Sequence, residues 1–234
     1  MTTTYLPPTQ EIAALFSDEV RAMGCLHPEV YEDGVHVFAR AVHTHPVEIC
    51  PGDTVRGGVA LRTIGEVVDV HPFVFRRVCT NGAIMAEALQ SQRVRRVELA
   101  APSEVITAAL DDVRAAIRAC GNPAAFADAV GMMRRAVRQP PDMLIALLPM
   151  LSEIRHRNPA FFGEILERFE RELDRSAFGL VNAVTSIARD TPDPERRWRI
   201  EELGGTMLAL MPPDRKSRPS SAPFPEDAFV EAVA

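Results

Sequence analysis

The sequence predicts an α+β protein, with an antiparallel, strand-rich N-terminal third packed against a helical C-terminal two-thirds. Three observations carry this. Residues 34–80 hold runs that alternate in polarity or are rich in Val and Phe. From Ala83 onward, apolar residues recur at three-to-four spacing. Strands first and helices after is the order of an α+β chain, not of a wound βαβ repeat. With 234 residues and 47% hydrophobic content the chain can bury a substantial core. Residues 1–211 read as one α+β domain and 212–234 as a proline- and serine-rich tail that is expected to be disordered.

The elements follow in order. Residues Thr9 to Met23 form an amphipathic helical pattern, opened by Thr9 as a cap. Three strand-like runs come next: 34–49, alternating around Val35, Val37, Ala39, Ala41 and His43; 53–64, interrupted by Gly57 and Gly58; and 65–80. Pro46, Pro51 and Pro72 are expected at strand ends, edges or bulges, because proline donates nothing to a ladder. Helical patterns then span 83–99, 103–120, 123–137, 141–156, 159–173, 178–190 and 193–210. Their breaks fall at Gly121-Asn122-Pro123, Pro140-Pro141 and Asn158-Pro159.

Composition narrows the function. No run of about 18 apolar residues is present, and Met-Thr-Thr-Thr-Tyr-Leu-Pro-Pro lacks a basic and apolar leader, so a cytoplasmic protein with no membrane partner is expected. Cys25, Cys50, Cys79 and Cys120 lie far apart without a CxxC pair, which predicts free thiols and no disulfides. The net charge of −6 argues against a protein that coats nucleic acid over its whole surface. Charge is uneven, however: between Thr54 and Arg96, seven arginines face three acids. Lys216 is the only lysine. Arginine dominance is what a GC-rich genome produces, although arginine is also the better fork for phosphate.

Two stretches carry a resemblance. "VRGGVALRTIGEVVDVHPFVFRRVCTNGAIM" and, about a hundred residues later, "FGLVNAVTSIARDTPDPERRWRIEELGG" together resemble the family called domain of unknown function 932. Arg77, Cys79, Asn81 and Gly82 match its first signature; Asn182, Ala183, Val184 and Thr185 match its second. The likeness spans Tyr31 to Leu210, with Ser176-Ala177-Phe178 departing from a more aromatic approach to the Asn-Ala segment. It implies a protein of phages, prophages or conjugative plasmids, with no established activity.

Three readings stand open at the Cys79-Thr80-Asn81-Gly82 corner. Asn-Gly tolerates positive φ, so the corner can be a plain turn from strand into a helix starting near Ala83. It can be an anion site, with Thr80, Asn81 and the first helical N–H groups beside Arg76 and Arg77. Or Cys79 can be a nucleophile activated by those charges, although no base is placed for it. His36, His43, His45 and Cys50 suggest metal ligation only weakly, since no carboxylate or second cysteine stands at ligand spacing; no metal and no cofactor is assigned. Asn182 to Thr185, mid-helix, are expected to bridge to another element. Asp193, Glu195, Arg196, Arg197, Arg199, Glu201 and Glu202 read as a solvated face with an Arg197–Glu201 pair.

Two function classes follow. The first is a non-enzymatic, nucleic-acid-associated protein, binding or annealing single strands through Arg62, Arg76, Arg77, Arg93, Arg95 and Arg96, with Phe73 or Phe75 for stacking and Thr80 and Asn81 beside the path. On this reading Arg76 points outward to phosphate and Arg77 inward, and a homo-oligomer is left open. The second is a small hydrolase or transferase for a phosphorylated ligand at the Cys79-Thr80-Asn81 corner, although no Walker loop, nucleophile elbow or HExxH is present. The non-enzymatic class is preferred. The tail yields the first testable statement: a chain cut after Met211 is expected to keep the cooperative melt of the full chain, followed by circular dichroism. A melt lowered by many degrees would place the tail in the core.

Overall fold

The computed structural model describes residues 7–65, 67–76, 81–85, 92–95, 102–138, 145–172 and 174–211. Seven helices and six strands form in the order α1 (Thr9–Ala22), β1 (Cys25–Glu32), β2 (Val37–Cys50), β3 (Asp53–Ile64), β4 (Val67–Arg76), β5 (Asn81–Ile84), β6 (Gln92–Arg95), α2 (Pro102–Cys120), α3 (Pro123–Arg138), α4 (Leu148–Arg157), α5 (Pro159–Arg171), α6 (Ala177–Asp190) and α7 (Pro194–Ala209) among the described residues. The α+β architecture is as expected: one antiparallel sheet first, helices chiefly after it.

The sheet is a meander, β1-β2-β3-β4-β5, with β6 also paired to β4. β5 and β6 divide one edge of β4 between them: Phe73 to Arg76 face β5 and Val67 to Val70 face β6. Side chains alternate across the pleat, so register assigns the faces. Val37, Ala39 and Ala41 of β2, Val59 and Leu61 of β3, and Val68 and Val70 of β4 bury with Ile12, Phe16 and Val20 of α1 and Val113, Ala116 and Ile117 of α2. The other face carries Phe38, Val42, Ala60, Phe73, Phe75 and Ile84, against which α7 lays Trp198. A third cluster joins the Val55, Val74 and Met85 end of the sheet to α3 through α7. α6 lies at its centre, with every residue from Ala177 to Ala188 buried.

Several expectations are corrected. α1 is preceded by Pro8 and has no side-chain cap; the Thr9 hydroxyl instead donates to Glu32 Oε1 at 2.5 Å. β1 has no counterpart in the sequence reading, because Pro28 interrupts its pattern. It is tolerated on an edge strand, where the register shifts between Leu26 and Glu29. The helix expected over 83–99 is absent from its described part: 81–84 and 92–95 are strands. Ala83, Ile84 and Met85 are all buried, and a short apolar run buried on both sides cannot be told from a helix turn by period alone. The unpaired edge of β4 settled the competition, since its N–H and C=O groups require partners. The helix expected from 141 is seen from Leu148, after a tight turn over 145–147. Asn158, Ser176 and Asp193 cap α5, α6 and α7 by accepting the N–H of Phe161, Gly179 and Arg196. The tail from 212 onward lies outside the described residues.

α7 approaches the sheet closely enough to exclude a side chain. A Cβ on Gly205 would stand 1.9 Å from the Ile84 carbonyl oxygen, backbone that cannot yield cheaply. Gly205→Ala is expected to lower stability by roughly 2–3 kcal/mol through overpacking, read from denaturant unfolding. Gly163→Ala on α5, where nothing lies within 4 Å, is the control and should hold or raise stability.

Candidate functional site

Arg76 ends β4 on the face that carries Val74, and its guanidinium closes on Asp53 at the start of β3. Nε donates to both carboxylate oxygens, at 2.9 and 2.8 Å, and Nη2 lies 2.7 Å from Oδ2. The same group sits 5.1 Å from the centre of the Phe178 ring. Arg76 therefore ties β4 to β3 and α6, and the outward phosphate contact expected of it is corrected: its charge is neutralised and largely buried. Arg77, Cys79 and Thr80 lie outside the described residues, as do Arg96 and the side chain of Arg95. The backbone of Asn81 pairs with Arg76 in the ladder. Because a strand begins there, the helix N-terminus that an anion site or an activated thiol would use is not at this corner. Gly82 has a packing role instead, since a Cβ on it would meet the Phe73 ring at 2.3 Å.

Arg62 and Arg93 of the basic window are held in the same manner. Arg62 is buried; Nε is 3.4 Å from Asp69 Oδ2, Nη2 is 3.6 Å from Glu202 Oε2, and the guanidinium stands 5.2 Å from the Trp198 ring centre. Arg93 donates to Asp69 Oδ1 at 2.8 Å while 59% of its side chain stays exposed. Arg56 differs. It faces the same side as its cross-strand neighbour Phe75, and no carboxylate partners it among the described residues. Phe73, offered for stacking, is buried, whereas Phe75 is half-buried.

The sheet face beneath α7 gathers the most chemistry. Arg40, on β2, is pinned between two acids: Nε and Nη2 donate to Glu29 Oε2 at 2.8 and 2.5 Å, and Nη1 donates to Glu201 Oε1. Arg197 adds Nε to Glu201 at 3.4 Å and Nη1 to Glu29 at 3.8 Å. Beside them opens a cavity of about 460 Å³ walled by Pro28, Tyr31, Phe38 and Trp198. A smaller hollow of about 230 Å³ shares Glu29 and Arg40 with it and runs on past Val42, Arg56 and Phe75. Ring contacts form a ladder: Tyr31 to Phe38 at 6.3 Å, Phe38 to Trp198 at 6.3 Å and Trp198 to His71 at 5.8 Å.

Glu201 was placed on a solvated face by its sequence, yet only 4% of its side chain is exposed. The expected Arg197–Glu201 pair forms, but inside. Gly204-Gly205, a close-approach signal a few residues on, could have marked this surface of α7 as inward. Asn182 is buried, and the Thr185 hydroxyl donates to the Val181 and Asn182 carbonyls of its own helix. Ala183 and Val184 are packed in the core.

The histidines do not converge. His36 lies 3.4 Å from Asp33, His45 contacts Thr44, and His43 donates from Nε2 to the Gly121 carbonyl at 2.8 Å while Nδ1 faces the Cys25 thiol at 3.5 Å. Among the described residues no group of three or more His, Cys, Asp or Glu could hold a metal ion. Cys25, Cys50 and Cys120 are free thiols, and burial raises the pKa of Cys25 and Cys120 to about 11. No described helix is long and apolar enough to cross a membrane. No protein family, curated protein or solved structure matches the chain, so the resemblance rests on its two signatures.

Two buried groups on this face titrate in opposite senses. Burial raises Glu201 from 4.5 to about 7, outweighing the pull of Arg40, with Glu29 adding to the rise. Burial lowers His71 from 6.5 to about 4, Arg62 and Arg93 acting with it and Asp69 against. Between 4.5 and 7 the folded Glu201 holds a proton that the unfolded chain has lost, so its contribution to stability falls as pH rises. Between 4 and 6.5 the unfolded His71 is protonated and the folded one is not, so its contribution rises. The two offset each other in the parent. Glu201→Gln is therefore expected to leave a stability that climbs from pH 4.5 to 6.5, and His71→Gln one that declines over the same range, by about 2–3 kcal/mol each. Denaturant unfolding at half-unit pH steps checks this; parallel profiles for both variants would refute it.

Proposed function

We propose that the chain is a non-enzymatic, cytoplasmic protein of a phage or plasmid that binds single-stranded nucleic acid, for holding or annealing strands, on the sheet face beside α7. The observation that carries this reading is Arg56: a guanidinium without a carboxylate among the described residues, next to Phe75, in a hollow that continues into the cavity of Tyr31, Phe38 and Trp198. Bases stack on aromatic faces regardless of sequence, and phosphates between them need cations. Tyr31, 47% exposed, and half-buried Phe38 and Phe75 supply rings, while Arg56 supplies a charge that no carboxylate pairs among the described residues. The mobile-element context comes from the resemblance. Arg93 extends the basic edge, and Arg62 and Arg76 act from within by holding the sheet in shape. The competing enzyme reading depends on Cys79 and Thr80, outside the described residues, and no observation favours it.

Fluorescence anisotropy of labelled single- and double-stranded oligonucleotides at two salt concentrations tests the proposal. Single strands should bind more tightly, with affinity falling as salt rises. Arg56→Ala should weaken binding and flatten the salt slope by about one unit. Tyr31→Ala should cost about 1–3 kcal/mol with the slope unchanged. The proposal fails if single strands do not bind at low salt, or if both variants bind as the parent does.

A further inference from the structure

A second concavity, of about 980 Å³, lies on the opposite side of the sheet, between β2 and α3. Hydrogen bonds close both of its ends. At one end His43 Nε2 reaches the Gly121 carbonyl at 2.8 Å; at the other Arg134 Nη2 reaches the Glu48 carbonyl at 2.7 Å. Between them β2 from 43 to 48 runs alongside α3 from 123 to 134. The wall on α3 is one helical stripe, Pro123, Phe126, Ala127, Val130 and Arg134, spaced i, i+3, i+4, i+7 and i+11. At 1.5 Å per residue it is roughly 16 Å long. Val47 and Met23 face it. Phe126 is fixed in place, since its ring fills the space over Gly57, where a Cβ would come within 2.3 Å of ring carbon Cδ2.

Charge is asymmetric along this slot. Arg118, at the His43 end, is neutralised by Glu19 at 2.7 and 3.2 Å. Arg134, at the far end, meets only a neutral carbonyl and has no carboxylate partner among the described residues. An apolar trough that ends in one uncompensated guanidinium matches a molecule with an apolar body and one anionic head. A strand-adding peptide suits it less well. β1 stops opposite His43 and leaves β2 unpaired on that side, yet Pro46 has no N–H to offer and the Glu48 carbonyl is taken.

We propose that this groove binds a single-chain amphipathic carboxylate, with its hydrocarbon along Val130, Phe126 and Pro123 and its headgroup on Arg134. The site is independent of the nucleic-acid face, being on the other side of the sheet. Titration calorimetry of the full chain with dodecanoate, below its self-association concentration, should give saturable binding of one molecule per chain. Arg134→Gln should weaken dodecanoate about tenfold, the loss of one charge-assisted hydrogen bond, and leave dodecanol within about twofold. Ala127→Trp, a filling of the groove at an exposed position, should abolish both. The parent failing to bind dodecanoate, Arg134→Gln binding it equally well, or Ala127→Trp binding it undiminished would each overturn the proposal. Arg134 is exposed, so its variant stays informative even if the tryptophan disturbs folding.

Discussion

Neutralisation of arginines inside the sheet is the constraint on which the rest of this structure depends. A guanidinium cannot be deprotonated, so a helix or strand can cover one only if a carboxylate comes with it. Arg76, Arg62 and Arg40 meet this condition by different routes. Arg76 is met by Asp53 from the neighbouring strand, Arg62 by Asp69 across the same hairpin and by Glu202 from α7, and Arg40 by Glu201 from α7 and Glu29 from the edge. Two of these routes need α7 to lie where it does. The close contact at Gly205 and the ion pairs at Glu201 and Glu202 are therefore parts of one fit. Backbone-to-backbone proximity lets the carboxylates reach, and the carboxylates make the proximity tolerable.

The same constraint explains why the Glu201 carboxyl is held well above the usual carboxylate range. Glu201 is buried beneath α7, with Oε1 3.2 Å from where a Cβ on Gly82 would stand, so loss of water outweighs the attraction of Arg40. Glu29 shares the same arginine but stands at the mouth of the cavity, in water. Arg40 is held between a wet acid and a dry one.

Much of the fold was legible because periodicity and punctuation agreed. β3 runs from Asp53 to Ile64 as read, and α3, α5 and α7 begin at the marks of Pro123, Asn158-Pro159 and Asp193-Pro194. What was illegible has physical causes. β1 hides because an edge strand with Pro28 needs no clean alternation. β5 hides because Ala83-Ile84-Met85 is buried on both faces, which erases period two. The site was harder still. Sequence counts an arginine as a cation on a surface; only three-dimensional pairing shows that Arg62 and Arg76 are spent internally. Glu201 was misplaced for the converse reason, since an i,i+4 partner looks the same whether the pair faces water or the sheet.

Subtracting internal pairs from the charge map leaves the arginines that still have work available outside the chain. Arg56 and Arg134 are two of these, one on each side of the sheet, and their surroundings differ in kind. Arg56 is flanked by the half-buried Phe75 ring, beside a cluster whose acids keep the local field near balance, which suits a ligand that alternates flat apolar groups with single charges. Arg134 ends a trough whose one aromatic hydrocarbon wall is Phe126, and it has no carboxylate ion pair among the described residues, which suits a ligand that keeps its charge at one place. The overall charge of −6 speaks to neither, because a ligand meets local pairing and not the sum over the chain.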